Sequence, residues 1–263
     1  MISELFMLRG KLSAKTSSVL LFAGLGFILL AWQIASLFIP SGLLPSPMSV
    51  VQTFPELHFK DALIRNLGYS IYLNVIGYLE AIAICIPVGF IIGLFPIFRE
   101  MFSKQIDTFR FIPLTAVTGL FIVWFGIGNT MKVQFLAFGI IVYLLPVVVQ
   151  SIHTVADVYQ QTAFTLGASK WQTIKSVFIP SVISKLMDDI RVLVAISWTY
   201  IIIVEMMNKT GGVGGLAYTF ARQGRIDKVF ALLFVIIFVG FIQDKLFVFL
   251  DKKLFPYKHA SEV

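Results

Sequence analysis

The sequence predicts an all-α integral membrane protein with about six transmembrane helices. Its 263 residues are 58% hydrophobic and only 13% charged, whereas soluble domains carry roughly 25% charged residues. A chain with so few charges cannot cover an ordinary water-facing surface. Its apolar residues are also gathered into runs close to the 20 or so residues that a helix needs to cross a bilayer. Lipid is therefore the expected solvent for most of the chain.

The apolar runs place the expected spans in chain order, and a turn-like Gly126-Ile127-Gly128-Asn129 separates the third run from the fourth. The first run is longer than a signal-peptide core and is followed by Ile39-Pro40, so we do not expect it to be cleaved. One membrane domain is expected over residues 17–251, with an N-terminal segment 1–16 and a C-terminal tail 252–263. The expected spans are residues 19–38, 67–95, 111–127, 133–150, 192–207 and 229–250.

The distribution of lysine and arginine predicts the orientation. With the N-terminus placed in the cytoplasm, fourteen of the 21 basic residues fall in cytoplasmic segments and seven fall outside. Cytoplasmic loops of membrane proteins are enriched in these residues, so both termini and the loop 151–189 are expected inside. The net charge of +7 comes from short clusters between apolar runs, a pattern that does not indicate a nucleic-acid partner.

The loop 151–189, called the coupling loop below, has the pattern of two short helices. Apolar residues at helical spacing predict an amphipathic helix over Thr154–Leu166, which Gly167 can end in the left-handed conformation. Ser169 and Gln172 form an S-x-x-Q capping box at the start of a second helix. Pro180 is expected to end that helix, because proline cannot donate to the hydrogen-bond ladder. Such a compact projection would suit docking on another protein.

The coupling loop resembles the E-A-A loop of ABC importer permeases. That loop reads E-A-A, three residues, Gly, nine residues and Ile-x-Leu-Pro, and the stretches Gln161–Gly167 and Val177–Pro180 match its spacing throughout. Gln161 stands in place of the glutamate and Thr162 in place of the first alanine. In that family the loop forms the coupling helix that rests on a separate ATPase subunit. The resemblance implies ATPase-contacting residues Gln161, Thr162, Ala163, Gly167, Ala168, Ser169, Trp171 and Pro180.

Further matches over residues 41–231 resemble the nitrate/sulfonate/taurine-type permeases, although Gly119 stands where that subfamily usually has proline. The resemblance implies the type I ABC importer architecture, in a multi-pass protein of the bacterial inner (plasma) membrane. It also implies a periplasmic or lipid-anchored binding protein, an ABC ATPase that binds the ATP and Mg, and a second permease copy, expected to form a homodimer. The implied solute is a small anion or small organic molecule. The matching segments are Leu44–Pro47, Phe109–Pro113, Trp124–Gly126, Gly212–Gly214 and the residues Arg191, Trp198 and Glu205.

Three residues of the fifth span suggest a stripe along the translocation path. Arg191, Trp198 and Glu205 are spaced by seven, so they lie on nearly one helix face, with about 21 Å between the first and the last. We expect Glu205 near the outer gate and Trp198 narrowing the path, and Trp124 is a further candidate. The alternative is that Arg191 and Glu205 reach the two membrane surfaces while Trp198 packs between helices.

For other polar and small residues in the spans, a structural role is the better interpretation. Glu80 lies within the second span, where a carboxylate must be paired or protonated, and we expect a partner on another helix. The pair Gly89-x-x-x-Gly93 predicts close helix packing. Gly211–Gly215 follows a span and lacks the Lys-Ser or Lys-Thr of a Walker loop, so it predicts either a tight re-entry or a plain turn.

Two alternatives to an ABC permease are a secondary transporter and a membrane enzyme. A self-sufficient secondary transporter would fit the spans, but the chain shows no inverted repeat and six spans are few for one chain acting alone. A membrane enzyme would need a catalytic constellation, and the histidines His58, His153 and His259 are scattered without metal-ligand spacing. The subunit is therefore expected to be non-catalytic.

Overall fold

The fold is that of a computed structural model, which describes residue 10 and residues 12–208 and 211–258. Predicted positions at Arg9, Lys11 and Lys209, and the tail beyond residue 258, lie outside the described residues. A π-helical segment covers Ile174–Phe178, and a 3₁₀ turn covers Pro256–Lys258. The helices are α1 (Ala14–Phe38), α2 (Pro47–Phe59), α3 (Leu63–Leu94), α4 (Pro96–Phe109), α5 (Leu114–Phe125), α6 (Asn129–His153), α7 (Asp157–Thr165), α8 (Lys170–Thr173), α9 (Ile179–Asn208), α10 (Val213–Arg222) and α11 (Ile226–Leu254).

Within the described residues, five helices are long and apolar enough to cross a membrane. They are α1, α3, α6, the continuous helix Lys170–Met207 and α11. The predicted third span, residues 111–127, differs: α5 has only 12 residues, about 18 Å of helix, and it meets α4 at a bend of 104°. Pro113 precedes α5 and Gly126, with φ +70°, ends it. The bent pair counts as a sixth span if its two helices are taken together.

The described residues between Ala62 and Thr219, together with those from Phe234 onward, form one compact unit. Its core lies where α3 packs on α6 and α6 packs on α9. A Cβ built on Gly89 would lie 2.5 Å from Val148 Cγ1, and one built on Gly93 would lie 2.5 Å from Ile152 Cδ1. The predicted packing role of these two glycines is confirmed, since any larger residue would push α3 away from α6.

The described residues up to Asp61, together with Phe220–Leu233, form a second compact unit. None of the residues of α1 is buried, as lipid exposure of an apolar helix allows. Trp32 Nε1 donates to the carbonyl of Pro45 at 2.9 Å, which attaches α1 to the segment before α2. Arg225 and Lys228 both contact the carboxylate of Glu56 on α2 at 3.0 Å.

The coupling loop corrects one sequence prediction. Pro180 does not end a helix, because α8, the π-helical segment and α9 run on as one helix over Lys170–Met207. In the π-helical segment the N–H of Ile179 donates to the carbonyl of Ile174, five residues earlier. This wider turn immediately before Pro180 gives the proline ring room that a regular α-helix would deny it. The second helix of the loop is therefore the beginning of the fifth span.

Candidate functional site

The bend of the coupling loop is built by local hydrogen bonds that end α7. Gly167 has φ +81°, its N–H donates to the carbonyl of Phe164, and the N–H of Ala168 donates to the carbonyl of Ala163, both at 2.9 Å. This is the Schellman pattern, in which a left-handed glycine satisfies the last carbonyls of a helix. The predicted helix end at Gly167 is confirmed. The helix before it begins at Asp157, later than Thr154.

The helix after the bend begins with the predicted capping box. Ser169 Oγ accepts from the N–H of Gln172 at 3.3 Å, and Gln172 Oε1 accepts from the N–H of Ser169 at 2.7 Å. Two backbone donors at the helix start are thus satisfied without solvent. The caps on both sides of residues 167–169 hold α7 and α8 in a defined bend.

Large apolar side chains cover the outside of this bend. Leu166 is 81% exposed and Trp171 is 69% exposed, and Val158 and Tyr159 on α7 are each more than half exposed. The side chains of Gln161 and Thr162 are exposed as well. An open groove of about 320 Å³ lies between α7 on one side and the π-helical segment and first turn of α9 on the other, and it is lined by Tyr159, Thr162, Ala163, Leu166, Ser176, Val177 and Ser181. An apolar patch of this kind on a projecting loop is typical of a protein–protein contact.

Glu205 lies in the interior of the helix bundle, fully buried. Its carboxylate accepts from Ser70 Oγ on α3 at 2.7 and 2.9 Å and from the N–H of Gly214 at 2.9 Å. A Cβ built on Gly212 would lie 2.1 Å from this carboxylate. The segment Gly211–Gly215, called the glycine-rich segment below, therefore packs directly against Glu205.

The other two residues of the predicted stripe contact α11. Trp198 is 4% exposed, and its Nε1 donates to Gln243 Oε1 at 2.7 Å. Arg191 forms a two-pronged ion pair with Asp244, with a distance of 2.7 Å between its terminal nitrogen and Oδ2. The three residues of the stripe thus contact three different helices, α3, α10 and α11. Trp124, the fourth candidate, is 64% exposed on α5 and lies against the ring of Phe121. A role for any of the four in the path stays a prediction.

Glu80 has the helix partner that the sequence predicts for it. Gln134 Nε2 on α6 donates to both carboxylate oxygens of Glu80, at 2.8 and 3.0 Å. Sequence reasoning did not identify Gln134, although a glutamine inside an apolar run is itself a signal. Ser70, Gln243 and Asp244 are polar interruptions of the same kind, and each is the partner of a residue named above.

Lys132 is a further candidate residue, whose burial the sequence pattern does not predict. As a basic residue between two apolar runs it is expected only to influence topology, yet its side chain is fully buried near the beginning of α6. Its Nζ lies 3.3 Å from the hydroxyl of Tyr69 and 5.0 Å from the centre of that ring. A buried ammonium group is costly unless polar groups surround it, and the hydroxyl and ring of Tyr69 supply part of that surrounding.

Apolar spans, polar groups paired across the helix bundle and a projecting loop with the E-A-A spacing together define a membrane permease subunit. The chain belongs to the family described as "Binding-protein-dependent transport system inner membrane component", which it matches over residues 85–256. It is a multi-pass permease subunit of an ATP-driven ABC importer, as the sequence predicts.

Three relatives of this chain are designated as transport permeases. The chain is 28% identical to the putative aliphatic sulfonates transport permease protein SsuC of Bacillus subtilis, over 89% of this chain and 86% of that protein. It is 26% identical to the taurine transport system permease protein TauC of Escherichia coli, with coverages of 86% and 84%. It is 25% identical to the nitrate import permease protein NrtB of Synechococcus elongatus, with 88% of each chain covered. These relatives confirm the predicted subfamily.

Solved structures share the fold. A chain of the MetNI methionine ABC transporter, in an inward-facing conformation, superimposes with a TM-score of 0.62 at 17% identity, over 73% of this chain and 94% of that one. A chain of an amino acid ABC transporter crystallised with histidines superimposes with a TM-score of 0.58 at 18% identity, over 76% and 95% of the two chains. The predicted type I importer architecture is thereby confirmed.

Proposed function

We propose that this permease carries a small anion, such as nitrate or a sulfonate including taurine, which a binding protein delivers on the outer side of a bacterial inner membrane. The substrate class is supported by the three relatives, whose designations name aliphatic sulfonates, taurine and nitrate. The positive-inside bias of the sequence supports an orientation with both termini in the cytoplasm.

The observation that carries the assignment of an ATPase partner is the exposed apolar surface of the coupling loop. The side chains of Leu166 and Trp171 are exposed on either side of a bend. Gly167 and the Ser169 capping box fix the backbone of that bend. A preformed apolar bend presents its contact area without an ordering cost at the moment of binding. It fits a groove on the ATPase, which supplies the nucleotide chemistry.

The packing of the helix bundle favours two permease copies. The interior formed by α3, α6 and α9 is filled by buried side chains that include Leu73, Trp198 and Ile201. Protein interiors packed in this way leave no continuous channel for a solute. A path therefore needs a surface shared between two permease chains, and we propose that a second copy of this chain supplies it.

The ATPase contact is tested with single substitutions on the coupling loop. Leu166→Asp and Trp171→Asp are each expected to abolish co-purification of the cognate ATPase, because a carboxylate cannot enter an apolar groove unpaired. Leu43→Asp is the matched control, since Leu43 is 72% exposed in the connection between α1 and α2. Retention of the ATPase by both loop variants would contradict the proposal.

The transport activity is tested in proteoliposomes that contain the permease, its ATPase and its binding protein. ATP-dependent uptake is measured with labelled nitrate, taurine and an alkanesulfonate, and an ATPase variant unable to hydrolyse ATP is the control. Uptake of one of these anions that stops with the control ATPase is the expected result. Uptake by the permease alone would favour a secondary transporter instead.

A further inference from the structure

The end of the described chain folds back onto the base of the coupling loop. The 3₁₀ turn Pro256–Lys258 follows α11 directly. The hydroxyl of Tyr257 donates to the carbonyl of Pro180 at 3.1 Å, and Lys258 Nζ donates to the carbonyl of Ser184 at 3.3 Å. Both acceptors lie in the first turns of α9. The turn therefore bonds the backbone of one spanning helix to the end of another.

Lys258 also joins two acidic side chains from different helices. Its Nζ lies 2.8 Å from Asp188 Oδ2 on α9 and 3.2 Å from Asp251 Oδ2 on α11. The side chain of Lys258 is 23% exposed and that of Asp251 only 11% exposed. The side chain of Asp188 is 62% exposed, so the pair of Lys258 with Asp251 is the one that is withdrawn from water and less screened by salt. The lysine thus acts as a three-way junction among α9, α11 and the turn.

The position of this junction relates it to the coupling loop. Pro180 is the last residue of the E-A-A-like pattern, and the continuous helix Lys170–Met207 carries the loop into the bundle. A displacement of the coupling loop is transmitted directly to α9, because both belong to that helix. The turn contacts α9 at Pro180, Ser184 and Asp188, closer to the loop than the pairs Trp198–Gln243 and Arg191–Asp244, which lie further along α9.

We propose that Tyr257 and Lys258 are positioning residues that lock the end of α11 to the base of the coupling loop, so that α9 and α11 move together when the ATPase displaces the loop. This inference rests on the proposed function, in which the coupling loop is the ATPase contact. It gives the C-terminal turn a part in energy coupling that is distinct from ATPase docking.

The test measures the number of solute molecules taken up per ATP hydrolysed, in proteoliposomes of the complete importer. Lys258→Met and Tyr257→Phe, singly and together, are compared with Lys253→Met, since Lys253 is an exposed lysine in the last turn of α11. The double variant is expected to lower uptake per ATP by at least about five-fold, the lower end of the coupling typical of two linked sites. Lys258→Arg is expected to restore the ratio, because the guanidinium can reach both carboxylates.

Co-purification of the ATPase separates this inference from the proposed function. The ATPase is expected to stay bound to the Lys258 and Tyr257 variants while uptake per ATP falls. An unchanged ratio in the double variant, or an equal fall in Lys253→Met, would overturn the inference. A parallel decline of uptake and ATP hydrolysis in a double variant that still assembles with the ATPase would overturn it as well. If the double variant does not assemble, the same ratio is measured for Tyr257→Phe, which removes only one hydroxyl. An unchanged ratio in that variant would then overturn the inference.

Discussion

Glu205 on α9 and Ser70 on α3 meet in the interior of the bundle, where the serine hydroxyl lies 2.7 and 2.9 Å from the two carboxylate oxygens. The serine oxygen also accepts from the N–H of Val213, and Glu205 accepts from the N–H of Gly214. One buried carboxylate and one hydroxyl thus anchor the glycine-rich segment to two helices. This gives Glu205 a structural role whether or not it also faces the path.

Replacing Glu205 tests the anchor. Glu205→Ala leaves the Gly214 N–H without its acceptor and Ser70 without its partner, so we expect the free energy of unfolding to fall by about 1–3 kcal/mol. Thermal unfolding of the detergent-purified chain measures the change. Glu205→Gln keeps one oxygen acceptor and is expected to lose less. Full uptake by a correctly assembled Glu205→Gln permease would remove Glu205 from the candidates for the path.

Two adjacent glycines of α10 test how closely this segment approaches α9. A Cβ on Gly214 would lie 2.5 Å from the carbonyl oxygen of Ile202, a backbone atom that cannot turn aside, whereas the nearest atom to a Cβ on Gly215 is at 3.8 Å. Gly214→Ala is therefore expected to destabilise the chain by about 1–3 kcal/mol. Gly215→Ala should leave the unfolding temperature close to that of the wild type. Equal changes in unfolding temperature for Gly214→Ala and Gly215→Ala would show that Gly214 does not lie as close to the backbone of α9 as the structure has it.

The contact of α3 with α6 offers a similar comparison along one helix. Gly89→Ala places a methyl group 2.5 Å from Val148 Cγ1, while a Cβ at Gly68 has nothing within 4 Å. Overpacking a well-filled interface costs about 1–3 kcal/mol, so Gly89→Ala should lower the unfolding temperature and Gly68→Ala should not. An unfolding curve of Gly89→Ala that matches the wild type would mean that the two helices can separate without cost.

The stability of the protein is expected to depend on pH through the carboxylate of Glu56. Hydrogen bonds from Arg225 and Lys228 lower the pKa of Glu56 from 4.5 to about 2. Folding therefore favours the ionised carboxylate: its contribution is complete above pH 4.5 and is lost as the pH falls toward 2. Between those values the wild type should lose stability more steeply than Glu56→Gln, as followed by thermal unfolding. Equal slopes for the wild type and Glu56→Gln would contradict this prediction.

Features that depend on neighbouring residues in the chain were predictable. The capping box joins Ser169 to Gln172 across three residues, and the left-handed Gly167 ends a helix through bonds within one turn. Residue type alone largely determines such contacts. Pro180 shows the limit of local reasoning. A proline rule predicts a helix end, but the π-helical segment before Pro180 lets the helix continue.

Contacts between distant helices were not predictable in the same way. The pairs Trp198–Gln243 and Arg191–Asp244, and the burial of Lys132, depend on how each helix is rotated about its axis. In a membrane protein the lipid-facing and helix-facing sides are both apolar, so hydrophobic periodicity carries little information about that rotation. Small residues such as Gly89 and Gly93 were the exception, since their lack of side chains marks a contact face.

The amino-acid sequence by itself determined that this is a multi-pass helical membrane protein, where most of its spans lie, and how the coupling loop bends. These follow from apolar composition and from hydrogen bonds within single helical turns. Only the tertiary structure decided which polar groups meet inside the bundle and that the chain's C-terminal turn bonds to the base of the loop. Those contacts join residues far apart in the chain, such as Ser70 and Val213 at a separation of 143 positions, and their formation depends on the packing of whole helices against one another.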